Sequence, residues 1–112
     1  MVRNEGERLK QVVVCTPRKE YARGASDLKK HNIGELSDPE IAKQQHNGLK
    51  VTLSEFGAEV LDIPELEDHP NSVFTRDTAL CTPQGYIKLR FGLETRLGED
   101  EWMAEALEAI GV

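Results

Sequence analysis

The sequence has little cysteine, few aromatic residues, no long apolar run and no dense cluster of positive charge. Each shortage excludes something. Two cysteines, Cys15 and Cys81, stand far apart without CxxC spacing. That argues against a disulfide scaffold and makes a reducing cytoplasm the expected compartment. No apolar stretch reaches the length of a membrane span, and Met1 to Lys10 is charged, with no apolar signal-peptide core. The formal net charge is -6, and the basic residues are scattered apart from Arg18-Lys19 and Lys29-Lys30. Nucleic acid is therefore excluded as a partner, because phosphate binding draws on clustered Lys and Arg. A negative field mildly favours a cationic small molecule. The 112 residues allow one small domain, 1–112, with a modest aliphatic core.

Regular elements can be read along the chain. Residues 10–15 (Lys-Gln-Val-Val-Val-Cys) form a β-branched run stopped by Pro17, expected to be a strand covered on both faces. Residues 18–36 are polar, hold Gly24 and Gly34 and show no period, so a long loop is expected. Ser37-Asp38-Pro39-Glu40 reads as a helix start, with Ser37 and Glu40 forming a capping box. Ile41, Leu49, Leu53 and Phe56 then recur near helical spacing, and Gly57 is the stop. Glu59 to Ile63 reads as a second strand and 64–72 as an acidic, proline-rich loop. Val73 to Thr82 and Tyr86 to Arg90 read as a hairpin about Pro83-Gln84-Gly85. Gly98 to Ile110 reads as a helix presenting Met103, Ala106, Leu107 and Ile110, with Gly111 as its left-handed cap.

The order is strand, loop, helix, strand, hairpin, helix: an α/β chain. Glu55-Phe56-Gly57-Ala58-Glu59-Val60 runs from helix through glycine into strand. Ala109-Ile110-Gly111-Val112 repeats that grammar, so a further strand is expected from Val112 onward.

The chemically informative segment is His69-Pro70-Asn71-Ser72-Val73-Phe74-Thr75-Arg76-Asp77. A proline-containing polar loop feeds a strand whose start holds Asn71, Arg76 and Asp77, where α/β scaffolds place ligand groups. An aspartate there can accept two hydrogen bonds from a planar guanidinium, whose donors form a fixed fork. On chemistry alone, a solvated surface or pairing with neighbours is the more expected reading for Arg76 and Asp77. His31, His46 and His69 have no ligand spacing with cysteine or with each other; a solvated surface is expected for each, and no metal site. Cys15 and Cys81 lie in apolar strand contexts, where a cysteine is a small buried hydrophobe.

Asn71-Ser72-Val73-Phe74-Thr75-Arg76-Asp77 resembles the substrate-binding segment of the guanidine-modifying superfamily. Arginine deiminases carry a similar Phe-Thr-Arg-Asp, and dimethylarginine dimethylaminohydrolases a similar Ser-Val-Phe string ending in an acidic pair. Ala79-Leu80-Cys81, Arg90-Phe91-Gly92 and Glu94-Thr95-Arg96 continue the likeness to the dimethylarginine enzymes, and Val12 to Pro17 looks like the family's opening strand. The resemblance implies about two ββαβ-type modules of a five-module α/β propeller, the pentein fold, as an incomplete ring. It implies that Asp77 holds the substrate guanidinium, that Asn71 contacts the amino-acid end, and that Arg96 pairs with the substrate carboxylate. Arg76 stands where the dimethylarginine enzymes have a carboxylate, and agrees with the deiminases.

The family's nucleophilic cysteine and general acid/base histidine fall in parts of the domain this sequence does not supply. The resemblance therefore implies a substrate-recognition portion with no catalytic residue and no cofactor. Its partners would be an arginine-like guanidino substrate and either the C-terminal half of the enzyme or further copies of the chain. An amidinotransferase portion is the alternative within the enzymes. A self-standing, non-catalytic binding or assembly module is the alternative outside them.

Overall fold

A computed structural model describes residues 6–24, 27–31, 33–35 and 37–112. The structure is α/β, as expected. Strand β1 (Gln11–Val14) pairs in parallel with β2 (Glu59–Asp62), Val12 opposite Val60 and Val13 opposite Leu61. Between them lie the short helix α1 (Lys19–Arg23) and the long helix α2 (Pro39–Glu55), as a parallel crossover requires. Strands β3 (Ala79–Thr82) and β4 (Gly85–Lys88) form an antiparallel hairpin, with Leu80 opposite Ile87 and Cys81 opposite Tyr86. Helix α3 (Glu99–Ala109) leans on that hairpin, where the Tyr86 hydroxyl donates to Glu108 at 2.9 Å. It ends on Gly111 at φ +87°, the left-handed stop expected there.

The core is thin. Val14, Cys15, Ala58, Met103, Ala104 and Leu107 are its buried apolar members. Buried beside them are Thr16, Glu20, Asn71, Ser72, Thr78, Arg96 and Glu99. The interior is therefore held as much by hydrogen bonds as by apolar burial, since each such polar group needs a partner. Val12 and Val13 are only half-buried, so β1 is not the doubly covered strand its composition suggests. Helix α2 buries no residue, and Ile41 and Leu49 stay about half exposed.

Three boundaries differ from the sequence expectation. The loop expected over 18–36 begins with α1. That helix is capped from far away: Glu65 accepts from the backbone N–H groups of Glu20 at 3.1 Å and Tyr21 at 2.8 Å. The buried Glu20 carboxylate accepts from Asp68 N at 2.8 Å and pairs with Arg23 at 3.0 Å. Residues 25, 26, 32 and 36 of that loop lie outside the described residues. The cap of α2 is Asp38, not Ser37. Asp38 Oδ1 accepts from Glu40 N at 2.9 Å and Ile41 N at 3.1 Å, while the Ser37 hydroxyl is bonded to the Tyr21 hydroxyl. Asp38→Ala should cost about 1 kcal/mol, read as a lower urea midpoint at unchanged slope; Ser37→Ala should leave the helix start intact. The strand expected from Val73 starts only at Ala79. Before it the backbone makes two tight 3₁₀ turns, Pro70–Val73 and Thr75–Asp77.

Candidate functional site

The two 3₁₀ turns and the Phe74 between them meet at one buried side chain. Arg96 sits in a third such turn, Glu94–Arg96, just before α3. Its Nη2 donates to the Asn71 carbonyl at 3.2 Å and to the Phe74 carbonyl at 3.0 Å. Its Nε and Nη2 donate to Glu99 Oε1 at 3.0 Å and 2.8 Å, and its Nη1 donates to Asp77 Oδ2 at 2.9 Å. The Phe91 ring lies 4.3 Å from the guanidinium carbon, close enough for a cation–π contact. One buried guanidinium thus gathers both turns, Asp77, Glu99 and Phe91.

The electrostatics follow. Burial works against the charge of Arg96, but the hydrogen bonds to Glu99 and Asp77 outweigh it and hold the guanidinium more firmly protonated than usual. Glu99 is 0% exposed. Burial pushes its carboxyl above the ordinary range, with Arg96 pulling the other way. Its Oε2 has no partner among the described residues.

Asn71, Asp77 and Arg96, the three residues singled out in the sequence, line one open depression of about 1130 Å³. His31, Arg76 and Arg90 line it too. The Asp77 side chain is 55% exposed, with Oδ2 taken by Arg96 and no partner for Oδ1 among the described residues. Asp77 lies in a turn, not at the strand start expected for it. Asn71 is buried and its Nδ2 donates to the His31 carbonyl at 2.7 Å. Arg96 does not offer an open fork: of its five N–H groups, only one on Nη1 is unengaged. Sequence reasoning missed Glu99, although it lies three residues beyond Arg96, a spacing that pairs opposite charges on one helical face. The pull of Arg96 on two distant carbonyls left no signal in the sequence.

The thiols differ from each other. Cys15 is fully buried, and burial pushes its thiol up to about 12, the Ser72 hydroxyl partly offsetting this. Cys81 is exposed, contrary to the buried position expected from its apolar neighbours; it lines an open groove beside Met103 and Leu107 of α3. The histidines are less solvated than expected. His69 ring nitrogens lie 2.8 Å from the Glu67 carbonyl and 2.9 Å from that of Leu97, His46 Nδ1 lies 3.5 Å from Thr16 Oγ1, and His31 Nδ1 is buried without a partner among the described residues. None is bonded to a sulfur. Among the described residues no three metal-binding side chains cluster, and no helix is long and apolar enough to cross a membrane.

Comparison with known proteins gives a consistent answer. The chain is 31% identical over 101 residues to the N(G),N(G)-dimethylarginine dimethylaminohydrolase of Pseudomonas aeruginosa, covering 88% of this chain and 37% of that enzyme. The crystal structure of the Pseudomonas aeruginosa protein complexed with citrulline superposes with TM-score 0.76 at 29% identity, over 93% of this chain and 39% of that one. An adduct of a dimethylarginine dimethylaminohydrolase with S-methyl-L-thiocitrulline gives TM-score 0.75 at 30% identity, over 91% and 39%. The chain is related to the guanidine-modifying superfamily. Its α/β fold matches the pentein structures of that superfamily, spanning less than half the length of these relatives. No protein-family model matches the chain. In this pentein frame the depression beside Asp77 is built, His31 apart, from segment 69–96, which carries the motif resemblance.

Proposed function

We propose that the chain is the N-terminal, substrate-recognition part of a cytoplasmic hydrolase acting on the guanidino carbon of arginine or methylated arginine, releasing citrulline. The observation that carries this reading is the Asp77 carboxylate. One oxygen is pinned by Arg96 and the other is open to the depression. A carboxylate fixed in this way can accept from a planar guanidinium without reorganising, which holds the guanidino carbon for attack. Asn71 and Arg96 shape the amino-acid end, Arg96 chiefly as the brace behind Asp77. The attacking thiolate and the proton-shuttling histidine come from outside this chain. The thiolate adds to the guanidino carbon, the histidine protonates the departing ammonia or alkylamine, and water hydrolyses the amidino-thioester, restoring the thiol.

The remaining modules, or further copies of the chain, would cover the apolar groove between β1 and α3. Leu9 and Ile110 are partly exposed there, and apolar surface of this kind marks an interface. An amidinotransferase would use the same recognition half, and the acceptor of the amidino group would distinguish it.

Calorimetric titration of the chain with L-arginine and dimethylarginine tests the reading. Asp77→Asn should weaken binding about tenfold to a hundredfold, the worth of a charged hydrogen-bonding partner, about 1.5–3 kcal/mol. Citrulline release by the chain alone should stay at background. Turnover that Cys81→Ser abolishes would place the chemistry inside the chain and overturn the division of labour. Binding unchanged in Asp77→Asn would remove the guanidinium assignment.

A further inference from the structure

Helix α2 meets the sheet with charge where an apolar stripe is usual. Ala42, His46, Lys50 and Leu53 are half-buried at helical spacing, while the apolar Ile41, Leu49, Val51 and Phe56 stay exposed. The two middle residues of that inward face are titratable. Lys50 Nζ donates to Asp62 Oδ2 at 2.9 Å and to Thr16 Oγ1 at 2.8 Å. Thr16 is buried, and it donates to Asp62 from Oγ1 at 2.7 Å and from its backbone N–H at 3.1 Å. The hydroxyl hydrogen is thereby used, so His46 can bond Oγ1 only by donating from Nδ1, across 3.5 Å. We infer that α2 is an acid-released element: Lys50, Asp62 and Thr16 clamp it to the sheet, and a proton taken up by His46 undocks it while the rest of the fold stays closed.

The charges around His46 set the direction of the response. Its own helix brings Lys50 and the half-buried Lys43. Asp62 faces it from β2, already paired with Lys50 and, at 3.7 Å, with Arg18. Cys15, beside Thr16, keeps its proton, because burial pushes the thiol up to about 12. Tyr21 of α1 shares the groove beside His46, and Val73, Phe74 and Thr75 close it without adding charge. Burial and Lys50 push His46 below its ordinary value, with Asp62 pulling the other way. The docked helix therefore resists a proton that a released helix accepts. Docking is at full strength above the ordinary imidazole range and weakens as pH falls through it toward the lowered value. Burial works against the Asp62 charge, but the bonds from Lys50 and Thr16 outweigh it and hold that carboxyl below its ordinary range. Its contribution is lost only as pH falls through that depressed value, so the clamp is still charged when His46 titrates. The Arg96 network and the hairpin use none of these groups, which confines the release to α2.

Amide hydrogen exchange of the whole chain tests this, with each rate divided by that of an unstructured peptide at the same pH. Between pH ~7.5 and pH ~5.5 the opening of the α2 amides should rise about threefold, the size of a part-exposed charge effect. The amides of β3, β4 and α3 should not change. His46→Gln keeps a donor but cannot titrate, so its α2 should be as closed as the parent's at the higher pH and show no rise at the lower. Lys50→Met should open α2 about tenfold at both, the worth of a charged hydrogen-bonding partner. Salt tests the clamp without a substitution: going from ~0.05 M to ~0.5 M screens charge pairs and should open α2 about threefold, again sparing α3. The inference is overturned if α2 opens equally at both pH values in the parent, or if the rise persists in His46→Gln. It is also overturned if α3 and the hairpin open in step with α2, which would mean loss of the whole fold, or if neither salt nor Lys50→Met loosens α2.

Discussion

Arg96→Met should lower the unfolding free energy by about 3–5 kcal/mol, a large share of the stability of a domain this small. Arg96 is 9% exposed, and Glu99 beneath it is 0% exposed. Methionine fills much of the same space, so the loss comes from polar groups left alone. Glu99 would remain buried with neither oxygen paired, and the Asn71 and Phe74 carbonyls would lose the guanidinium they both face. Arg96→Lys should recover only part of the loss, because an ammonium cannot reach Asp77, Glu99 and two carbonyls from one position.

The double substitution Arg96→Met with Glu99→Leu should recover most of it, since an apolar pair can replace a buried ion pair without penalty. The pH dependence of the single variant follows from the sign of the Glu99 shift. Burial raises the Glu99 carboxyl, so the ionised form is the one the fold disfavours. The penalty is full above the raised value and is relieved as pH falls through it toward the ordinary carboxylate range. Urea melts at neutral pH and near pH ~5 should thus show a smaller loss at the lower pH. A loss below about 1 kcal/mol at neutral pH would mean that the guanidinium network contributes no more than a surface pair does.

The legibility of the sequence divides along the same line. Elements whose causes are local could be read: the Val12 to Val14 run, the glycine stops at Gly57 and Gly111, and the Pro83-Gln84-Gly85 turn. The structure brings the three proposed site residues, Asn71, Asp77 and Arg96, to one depression. What could not be read has distant causes. Helix α1 depends on Glu65, 45 positions beyond Glu20. The turns at 70–77 depend on Arg96, 25 positions beyond Asn71. Cys81 reads as buried from its neighbours, but the groove it lines beside α3 is left open.

Above pH ~9 the chain should lose stability, up to about 4 kcal/mol of it through Cys15. The thiol is 0% exposed, and burial moves its titration from 9.0 to about 12. An unfolded chain can release that proton once the ordinary thiol value is passed, whereas the folded chain cannot. The folded state therefore binds a proton that the unfolded state has given up. Stability falls by about 1.4 kcal/mol for each pH unit between the two values and levels off above the folded one. Tyr86 and Lys88 titrate in the same region, so the comparison that isolates Cys15 is with Cys15→Ala. That variant should be less stable at neutral pH, by the cost of a small cavity. Its urea midpoint should nevertheless decline less between neutral pH and pH ~10.5 than that of the parent. Thiol reactivity gives an independent reading at neutral pH: Cys81 should react with a disulfide reagent at the rate of an open thiol, while Cys15 reacts only as fast as the chain opens. Equal alkaline slopes in parent and variant, with two thiols of equal reactivity, would show that Cys15 is open to solvent and that the interface between β1 and the 70–77 turns is not closed.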